Sequence, residues 1–452
     1  MKRNTKRIIF LQIALLLVTD LYAQDTVQIV SAWFKQNSLP IKSIEPENDF
    51  SDLQPWKKTL NDIRVIGVGE STHGTFEFFK IKHRFIEFLV TQLNFTAFVL
   101  ESSYAACQPI NDYILYGKGD RATVLTGQGY TPWDNEEFSG MIDWMRAYNK
   151  NVPGEKKIRF YGMDFCYNEL GRERVLKYLG KCAPEKIASV DSLFLVLSSE
   201  EAKWPSRLDQ SKLQESYIPL QKLISYFNAN KNRLITASNA DEWDSVDHHI
   251  QVMEYWLLAN LEDPPPSLHS KKLSRTEYMG QNMRYIIDKE KPNTKFIIWA
   301  YNDHIAIDSS DGEESPGYQM REKFGDKYYA LALACYKGTF QTRILLPDKY
   351  WGALKIDTIP PFEKSINWYL SGTNKKQLFI DFRSSSSDPL VEKWLEASQK
   401  FSYGYWVFRG ASATYGDIIM KGHYDGILFI DQSTPVHPTR NALARSSKNI
   451  GF

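Results

Sequence analysis

Cysteine is scarce in this chain: only four of its 452 residues are cysteines. They include no C-x-x-C pair, so the sequence does not indicate a structural zinc knuckle. A disulfide would need an oxidising compartment, and Cys166 and Cys182 are the two cysteines closest in sequence. A chain of this length can bury a large core, so it does not need disulfides to fold.

A surplus of charge of either sign is also lacking. Lys and Arg number 55 against 54 Asp and Glu, which gives a formal net charge of +1. Nucleic-acid binding depends on a basic surface, so we expect no nucleic-acid partner. The apolar fraction of 43% and the charged fraction of 24% are typical of globular proteins, and the length suits one large or two ordinary domains.

Long apolar runs are missing except near the N-terminus. There, residues 8–18 form an apolar stretch that follows four basic residues and precedes a small-residue site at residues 21–23. This order predicts a signal peptide over residues 1–23, and therefore an exported protein, periplasmic or secreted; a buried N-terminal helix is the alternative. No later run reaches about 18 apolar residues, so we expect no membrane span after removal of the signal.

The chain does contain an alternation of short apolar strands and helical patterns. Apolar runs without a clean polar alternation are typical of strands that are buried on both faces of a parallel sheet. The predicted strands are residues 64–69, 96–100, 157–163, 295–300, 328–335, 377–382, 405–408 and 426–430. Helical spacing of apolar residues separates the first strands, most clearly over residues 75–93. We therefore predict an α/β fold with a mostly parallel sheet flanked by helices.

A long helix-rich segment separates the third and fourth predicted strands. Its apolar spacing predicts helices at residues 212–227, 245–261 and 275–289. We interpret residues 168–291 as a large helical insertion, or lid, over one edge of the sheet. The α/β core then consists of a first part, residues 24–167, and a second part, residues 292–452.

Ionisable residues follow four of the predicted strands: Glu70, Glu101, Asp164 and His304. Crossovers between parallel strands are right-handed, so the carboxyl ends of these strands gather at one edge of the sheet. Ligands of open α/β sheets bind at that edge. A charged residue after one strand is common, but its recurrence on four strands predicts the rim of an active site.

The densest cluster of candidate catalytic residues is the turn Gly69-Glu70-Ser71-Thr72-His73-Gly74. A neutral histidine beside a carboxylate can take a proton from a nucleophile near neutral pH, because the carboxylate orients the ring. The G-x-S-x-G nucleophile elbow is absent, so we expect water as the nucleophile and His73 as its base. Glu101 would orient the water or His73, and His304 would stabilise the oxyanion or protonate the leaving oxygen.

Two further residues on the predicted helix have more than one interpretation. Glu77 lies four residues after His73, so the two side chains would face each other if the helix begins early. His83 is either part of the site or an ordinary histidine on the helix surface.

Metal chemistry is the main alternative for a site with two histidines and two glutamates. The H-E-x-x-H signature is absent, and the adjacent His248 and His249 have the wrong spacing for one helix face. Gly67-x-Gly69 lacks the third glycine of a dinucleotide-binding fingerprint. We therefore predict neither a metal nor an organic cofactor.

Several of these segments resemble the motifs of the erythromycin esterase family. The turn at residues 69–74 is similar to the opening motif of that family. The other similar segments are Glu77-Phe78-Phe79, Lys82-His83-Arg84, Phe98-Val99-Leu100-Glu101, Trp133, Trp144-Met145-Arg146-Ala147-Tyr148-Asn149, Phe160-Tyr161-Gly162-Met163-Asp164, Tyr278-Met279 with Asn282, Trp299-Ala300-Tyr301-Asn302-Asp303-His304 and Tyr424-Asp425-Gly426-Ile427. The resemblance covers about residues 55–432 and is most specific at the two histidine motifs.

This resemblance implies a metal-independent hydrolase of carboxylic esters that uses no cofactor. Known members of the family open the macrolactone of erythromycin, which makes a macrolide a candidate substrate and antibiotic resistance a candidate role. The resemblance implies that His73 is the base for water and that Glu70, Glu101 and His304 assist it. The residues expected to bind the small-molecule ester are Lys82, Glu77, His83, Trp133, Tyr104 and Asp164.

Two positions depart from the family pattern. Lys82 stands where macrolide-active members have arginine, which keeps the charge but loses the planar guanidinium. Tyr301 replaces the first histidine of the A-H-N-x-H segment. Two other functions stay open: a non-catalytic binding protein of the cell envelope that keeps the fold, and a metal-dependent hydrolase on a related scaffold. The sequence does not indicate an oligomeric state.

Overall fold

The computed structural model describes residues 26–47, 49–166, 169–188, 190, 210–262, 272–309, 312–345, 351–383, 388–402 and 415–447. The predicted signal peptide and the predicted strand at residues 405–408 lie outside the described residues. Within the described part, no helix combines the length and the apolar character that crossing a membrane requires. All four cysteines are described, and each is a free thiol.

The strands of the described chain belong to one large sheet and one small one. Their bounds are β1 (Leu39–Pro40), β2 (Val65–Val68), β3 (Phe95–Ser103), β4 (Arg159–Asp164), β5 (Lys295–Trp299), β6 (Tyr328–Leu345), β7 (Trp351–Ile359), β8 (Gln377–Asp381), β9 (Ser398–Ser402), β10 (Tyr415–Ile419) and β11 (Gly426–Ser433). The large sheet has the strand order β1-β8-β11-β6-β2-β5-β3-β4, with β7 paired to β6. Strands β9 and β10 form a separate antiparallel pair.

The centre of the large sheet is parallel. Strands β11, β6, β2, β5, β3 and β4 each pair in parallel with their neighbours in this order. The antiparallel pairs are β1 with β8, β8 with β11, and β7 with β6. The predicted fold class, a mostly parallel sheet flanked by helices, is therefore confirmed.

Helices connect the strands and cover both faces of the sheet. Their bounds are α1 (residues 26–37), α2 (Trp56–Leu60), α3 (Phe76–Leu93), α4 (Gln108–Tyr116), α5 (Arg121–Gly127), α6 (Glu136–Lys150), α7 (Glu169–Cys182), α8 (Gln210–Ala229), α9 (Lys231–Ala237), α10 (Ala240–Asn260), α11 (Arg275–Lys289), α12 (Asn302–Ile305), α13 (Pro316–Phe324), α14 (Ile366–Ser371), α15 (Pro389–Leu395) and α16 (Arg440–Ser447).

Burial on both faces explains why the central strands are apolar without alternation. Val65 and Ile66 are adjacent in β2, and they belong to two different hydrophobic clusters. Phe98 and Val99 of β3 are divided between the same two clusters. Because successive side chains of a strand point to opposite faces, each cluster covers one face of the sheet.

Between β4 and β5 the described chain forms the helices α7 to α11. Helix α7 packs against α10, and α11 packs along β4, so this helical segment is attached at the side of the sheet where β4 lies. The boundaries of the insertion at residues 168 and 291 remain a prediction, as does its role as a lid.

Candidate active site

The turn after β2 is placed by close packing at two glycines. A Cβ atom on Gly69 would overlap Oδ1 of Asn302, and one on Gly74 would overlap the backbone of Gln341, so only glycine fits at either position. The backbone N–H of Asn302 donates to the carbonyl oxygen of Glu70 over 2.9 Å. Because Asn302 lies two residues before His304, these contacts hold the turn beside the segment that carries the second histidine.

Glu70 and His73 form the first carboxylate–histidine pair. Nδ1 of His73 lies 2.5 Å from Oε1 of Glu70. An ionised carboxylate only accepts hydrogen bonds, so Nδ1 carries the proton and Nε2 is the basic nitrogen of the ring. The Glu70 side chain is fully buried, whereas 13% of the His73 side chain is exposed, so the imidazole is the part of the pair that reaches solvent.

A lysine and a tryptophan hold the second oxygen of Glu70. Nζ of Lys82 donates to Oε2 over 2.7 Å, and Nε1 of Trp299 donates to the same oxygen over 2.8 Å. Nζ of Lys82 also lies 4.2 Å from the centre of the Trp299 ring, within cation–π range. Burial lowers the pKa of Lys82 to about 8, against the opposing effect of Glu70.

Lys82 holds the carboxylate of Glu70 in place. Its side chain is 0% exposed, and its ammonium contacts a carboxylate that is equally buried. The predicted contact between Lys82 and a substrate would require the side chain to leave this position. In the structure, Lys82 instead acts on the site through Glu70, because Glu70 in turn orients His73.

Glu101 and His304 form the second pair. Nε2 of His304 lies 3.2 Å from Oε1 of Glu101, and the backbone N–H of Tyr301 donates to Oε2 over 2.8 Å. Glu101 lies inside β3, where the pairing with β4 shifts register between Leu100 and Ser103, and such a bulge redirects side chains. Nδ1 of His304 is buried and has no hydrogen-bond partner among the described residues. The hydrogen-bonding capacity of this nitrogen is therefore not used by the described part of the protein.

The two pairs are neighbours. Nε1 of Trp133 donates to the carbonyl oxygen of Glu101 over 3.0 Å, and its ring centre lies 5.3 Å from that of His73. Burial alone would raise the pKa of Glu101, but the charges of His304, His73 and Arg275 together bring it far below its usual value. Glu101 therefore stays ionised, and its negative charge interacts with both imidazole rings.

Arg275, which the sequence interpretation did not include among the site residues, joins the group. As the first residue of α11, it donates from Nε to Oδ2 of Asp164 over 3.0 Å, and its Nη2 contacts the same oxygen. Nη2 also lies 3.4 Å from Oε1 of Glu101. Asp164 accepts a further hydrogen bond from the hydroxyl of Tyr130 over 2.6 Å. A positive charge in the first turn of a helix opposes the helix dipole, but α5 and α9 also begin with a basic residue, so no sequence signal singles out Arg275.

Glu77 and His83 do not join these pairs. The carboxylate of Glu77 accepts from the backbone N–H and the hydroxyl of Thr434, so Glu77 does not face His73. His83 is buried on α3, with Nε2 3.3 Å from Oε1 of Glu87, and the interpretation as a helix-surface histidine is therefore wrong. Burial lowers the pKa of His83 to about 3, so its ring is neutral.

Tyr104 also makes its contacts away from the two pairs. Its ring packs against the rings of His248 and His249 on α10, with centre distances of 4.7 and 5.2 Å. In this position Tyr104 attaches the helical segment to the end of β3. Substrate binding by Tyr104, Glu77 and His83 remains a prediction.

Chemically, the site offers two imidazoles that are each oriented by a carboxylate. Such rings can take up a proton and release it again, which is what general acid–base catalysis requires. In the described part of the chain, no three His, Cys, Asp or Glu side chains are grouped so that they could hold a metal ion. Metal independence remains a prediction.

Comparison with known proteins finds the same resemblance over most of the chain. The model of the erythromycin esterase family matches residues 90–433, a match that begins after the turn carrying His73. Erythromycin esterase type II from Escherichia coli is 25% identical over 393 residues, which cover 79% of this chain and 89% of that protein.

Solved structures show the same fold. A Bacillus cereus protein has a TM-score of 0.78 at 22% identity, over 92% of this chain and 99% of its own. A histidine-to-asparagine variant of erythromycin esterase EreC in its open conformation has a TM-score of 0.66 at 16% identity, over 86% of this chain and 96% of its own. Together with the family model, which matches well over half of the sequence, these findings show that the chain belongs to the erythromycin esterase family.

Proposed function

We propose that this chain is an exported, metal-independent hydrolase of carboxylic esters in which His73 activates water. The observation that supports it most directly is the contact between Nδ1 of His73 and the buried carboxylate of Glu70, because it orients the ring and makes Nε2 the proton acceptor. Membership in the erythromycin esterase family supports ester hydrolysis as the reaction class. The N-terminal signal pattern supports export.

The reaction begins with the addition of water to the ester carbonyl. Nε2 of His73 takes a proton from water while the water oxygen forms a bond to the carbonyl carbon, and the electron pair of the C=O bond moves to oxygen. We assign to His304 the stabilisation of this oxyanion or the protonation of the leaving oxygen, because Glu101 holds only its Nε2 and leaves Nδ1 without a partner among the described residues. The electron pair on the oxyanion then re-forms the C=O bond as the C–O bond to the alcohol breaks. The leaving alkoxide takes up a proton, either the one that Nε2 of His73 removed from water or one from His304, which the proton on His73 then replaces. The products are an acid and an alcohol, or one hydroxy acid when the substrate is a lactone.

A macrolide lactone is the candidate substrate. The relative from Escherichia coli carries erythromycin esterase in its name, and it matches 79% of this chain. The partly exposed ring of Tyr301 lies 5.5 Å from the ring of His73, and the buried ring of Trp133 lies 5.3 Å from it, so the surroundings of the base are aromatic. A site of this kind suits a ligand that is largely apolar and carries one ester.

A panel of esters tests this proposal. The protein from residue 24 onward is incubated with simple aryl and alkyl esters and with 14- and 16-membered macrolactones in water enriched in oxygen-18. We expect the heavy oxygen to appear in the acid product, with full turnover in protein that elemental analysis finds free of zinc and manganese. If the wild type hydrolyses none of these esters, the chain is better described as a binding protein. If the rate of hydrolysis instead rises and falls with the amount of bound metal, the chain is a metal-dependent hydrolase.

We expect Trp299→Phe to lower kcat for ester hydrolysis about 10-fold, with little change in KM. The substitution removes the indole N–H from Glu70 but keeps an aromatic ring under Lys82. A hydrogen bond to a charged group contributes about 1.5–3 kcal/mol, and about 1.4 kcal/mol corresponds to a factor of ten in rate. Trp256→Phe is the control for steady-state kinetics, because Trp256 is also buried but lies on α10. An unchanged kcat for Trp299→Phe would show that this hydrogen bond does not hold the catalytic geometry.

A further inference from the structure

Arg275 and His304 share one carboxylate oxygen. Oε1 of Glu101 lies 3.2 Å from Nε2 of His304 and 3.4 Å from Nη2 of Arg275. The guanidinium comes from α11, in the helical segment between β4 and β5, whereas Glu101 belongs to β3 and His304 follows β5. The helical segment therefore places a permanent positive charge directly beside the second carboxylate–histidine pair.

Several contacts fix the position of this guanidinium. Asp164 is fully buried, accepts from Nε of Arg275, and is itself held by the Tyr130 hydroxyl and by the backbone N–H of Phe165. Burial alone would raise the pKa of Asp164, but Arg275 and Tyr130 lower it below its usual value, so it stays ionised. The start of α11 is fixed by the capping box of Ser274 and Glu277.

The charges around the pair determine what Arg275 does there. The ionisable groups that act on Glu101 or His304 include His73, Lys82, Asp164, Arg275 and Asp303. Arg275 is one of the cations in this group, and its Nη2 lies 3.4 Å from Oε1 of Glu101, the oxygen that faces His304. Its charge offsets part of the negative charge of Glu101 at the oxygen that faces His304.

We propose that Arg275 is a positioning residue of the ester hydrolase: it aligns Glu101 under His304 and sets the pH at which His304 releases its proton. The inference rests on the proposed function, since it assigns to His304 a proton transfer during hydrolysis. It also gives the helical segment a part in the chemistry, because the segment supplies the cation. Arg275 acts through Glu101 and not by contact with the reacting atoms.

The rate–pH profile of Arg275→Met tests the proposal. We expect the limb that depends on His304 to move to higher pH by about one unit, since a neighbouring charge shifts a titration by about 1–3 units. We also expect kcat to fall about 10-fold while KM changes less than about twofold, because the lost alignment affects the transition state more than substrate binding. Arg275→Lys, which keeps the charge, should restore the position of the limb. A limb that stays in place in Arg275→Met would overturn the proposal.

Arg284→Met is the matched control, because it removes the same side chain from the same helix. Nε of Arg284 donates to Oε1 of Gln319 and has no part in the carboxylate group around His304. We expect its profile to overlay that of the wild type. If Arg275→Met does not fold, the double variant Arg275→Met with Asp164→Asn is compared with Asp164→Asn alone. This pair differs only in the charge of Arg275, and neither variant has an unpaired carboxylate at residue 164.

A measurement that needs no turnover separates this inference from the proposed function. The chain has eight histidines, so the ring signals of a histidine-labelled sample can be followed by NMR, with His304→Asn to assign the signal of His304. We expect the titration midpoint of the His304 ring to move to higher pH in Arg275→Met and not in Arg284→Met. If the midpoint shifts but the protein hydrolyses no ester, the effect of Arg275 on His304 is supported and the proposed esterase function is rejected. Ester turnover without the shift would reject the positioning role alone.

Discussion

Replacing His73 by alanine should lower kcat/KM for ester hydrolysis by about 10²–10⁴-fold, the range typical of a lost general base. Glu70 orients the ring through Nδ1, which leaves Nε2 as the nitrogen that accepts the proton from water. The loss should be largely in kcat, because the base acts in the transition state and contributes little to binding the ester. Steady-state kinetics on the best ester of the panel measures both parameters.

His437→Ala is the control for this variant. His437 also contacts a carboxylate through Nδ1, with Oε1 of Glu137 at 2.6 Å, but 69% of its side chain is exposed. The control therefore removes the same kind of pair from the surface and should leave the rate unchanged. Added imidazole should recover part of the activity of His73→Ala. Equal rates for His73→Ala and the wild type would remove His73 from the mechanism and leave Glu101 with His304 as the remaining candidate pair.

The strands around the site could be predicted from the sequence because their apolar runs are short and are followed by ionisable residues. The prediction of residues 295–300 corresponds to β5 at Lys295–Trp299, and that of residues 96–100 falls within β3. The prediction of residues 328–335 covers only the first part of β6. That strand continues to Leu345 because its second half pairs with β7. The sequence around β7 has no clear period of apolar residues, so this pairing could not be predicted.

The contacts within the candidate site were harder to predict, because its charge pairs join segments that are far apart in the sequence. Lys82 falls in the apolar stripe of α3, four residues after Phe78 and three before Phe85, and a lysine in such a stripe needs a buried partner. The spacing alone does not reveal that this partner is Glu70. Arg275 lies 174 residues from Glu101, and only the fold brings them together. Glu77 and His83 were placed in the site by proximity in sequence, but the helix turns them towards other neighbours.

Removing the carboxylate of Glu70 should destabilise the fold more than any other change at the site. In Glu70→Gln, the ammonium of Lys82 stays fully buried without its anionic partner, and breaking a buried ion pair in this way costs about 3–5 kcal/mol in unfolding free energy. Adding Lys82→Met removes the orphaned charge, so the double variant should recover most of the stability. Neither variant should recover activity, because His73 has lost the carboxylate that orients it.

The pH dependence of this loss follows from the titration of Lys82. Burial lowers the pKa of Lys82 to about 8 in the folded wild type, and the loss of Glu70, which opposes this effect, should lower it further. An exposed lysine titrates near about 10.4, so between these values the unfolded chain binds more protons than the folded chain. The unfolding free energy of Glu70→Gln should therefore rise with pH from neutral to alkaline conditions, and its deficit relative to the wild type should shrink.

Urea denaturation of the wild type, both single variants and the double variant between about pH 6 and 10 measures this cycle. We expect a coupling between positions 70 and 82 that is largest at low pH and disappears as Lys82 becomes neutral. Lys82→Met should lack the alkaline rise, because it has no group to titrate there. A deficit of Glu70→Gln that is independent of pH, or that Lys82→Met does not relieve, would show that Glu70 stabilises the fold through Trp299 or packing and not through the buried ion pair.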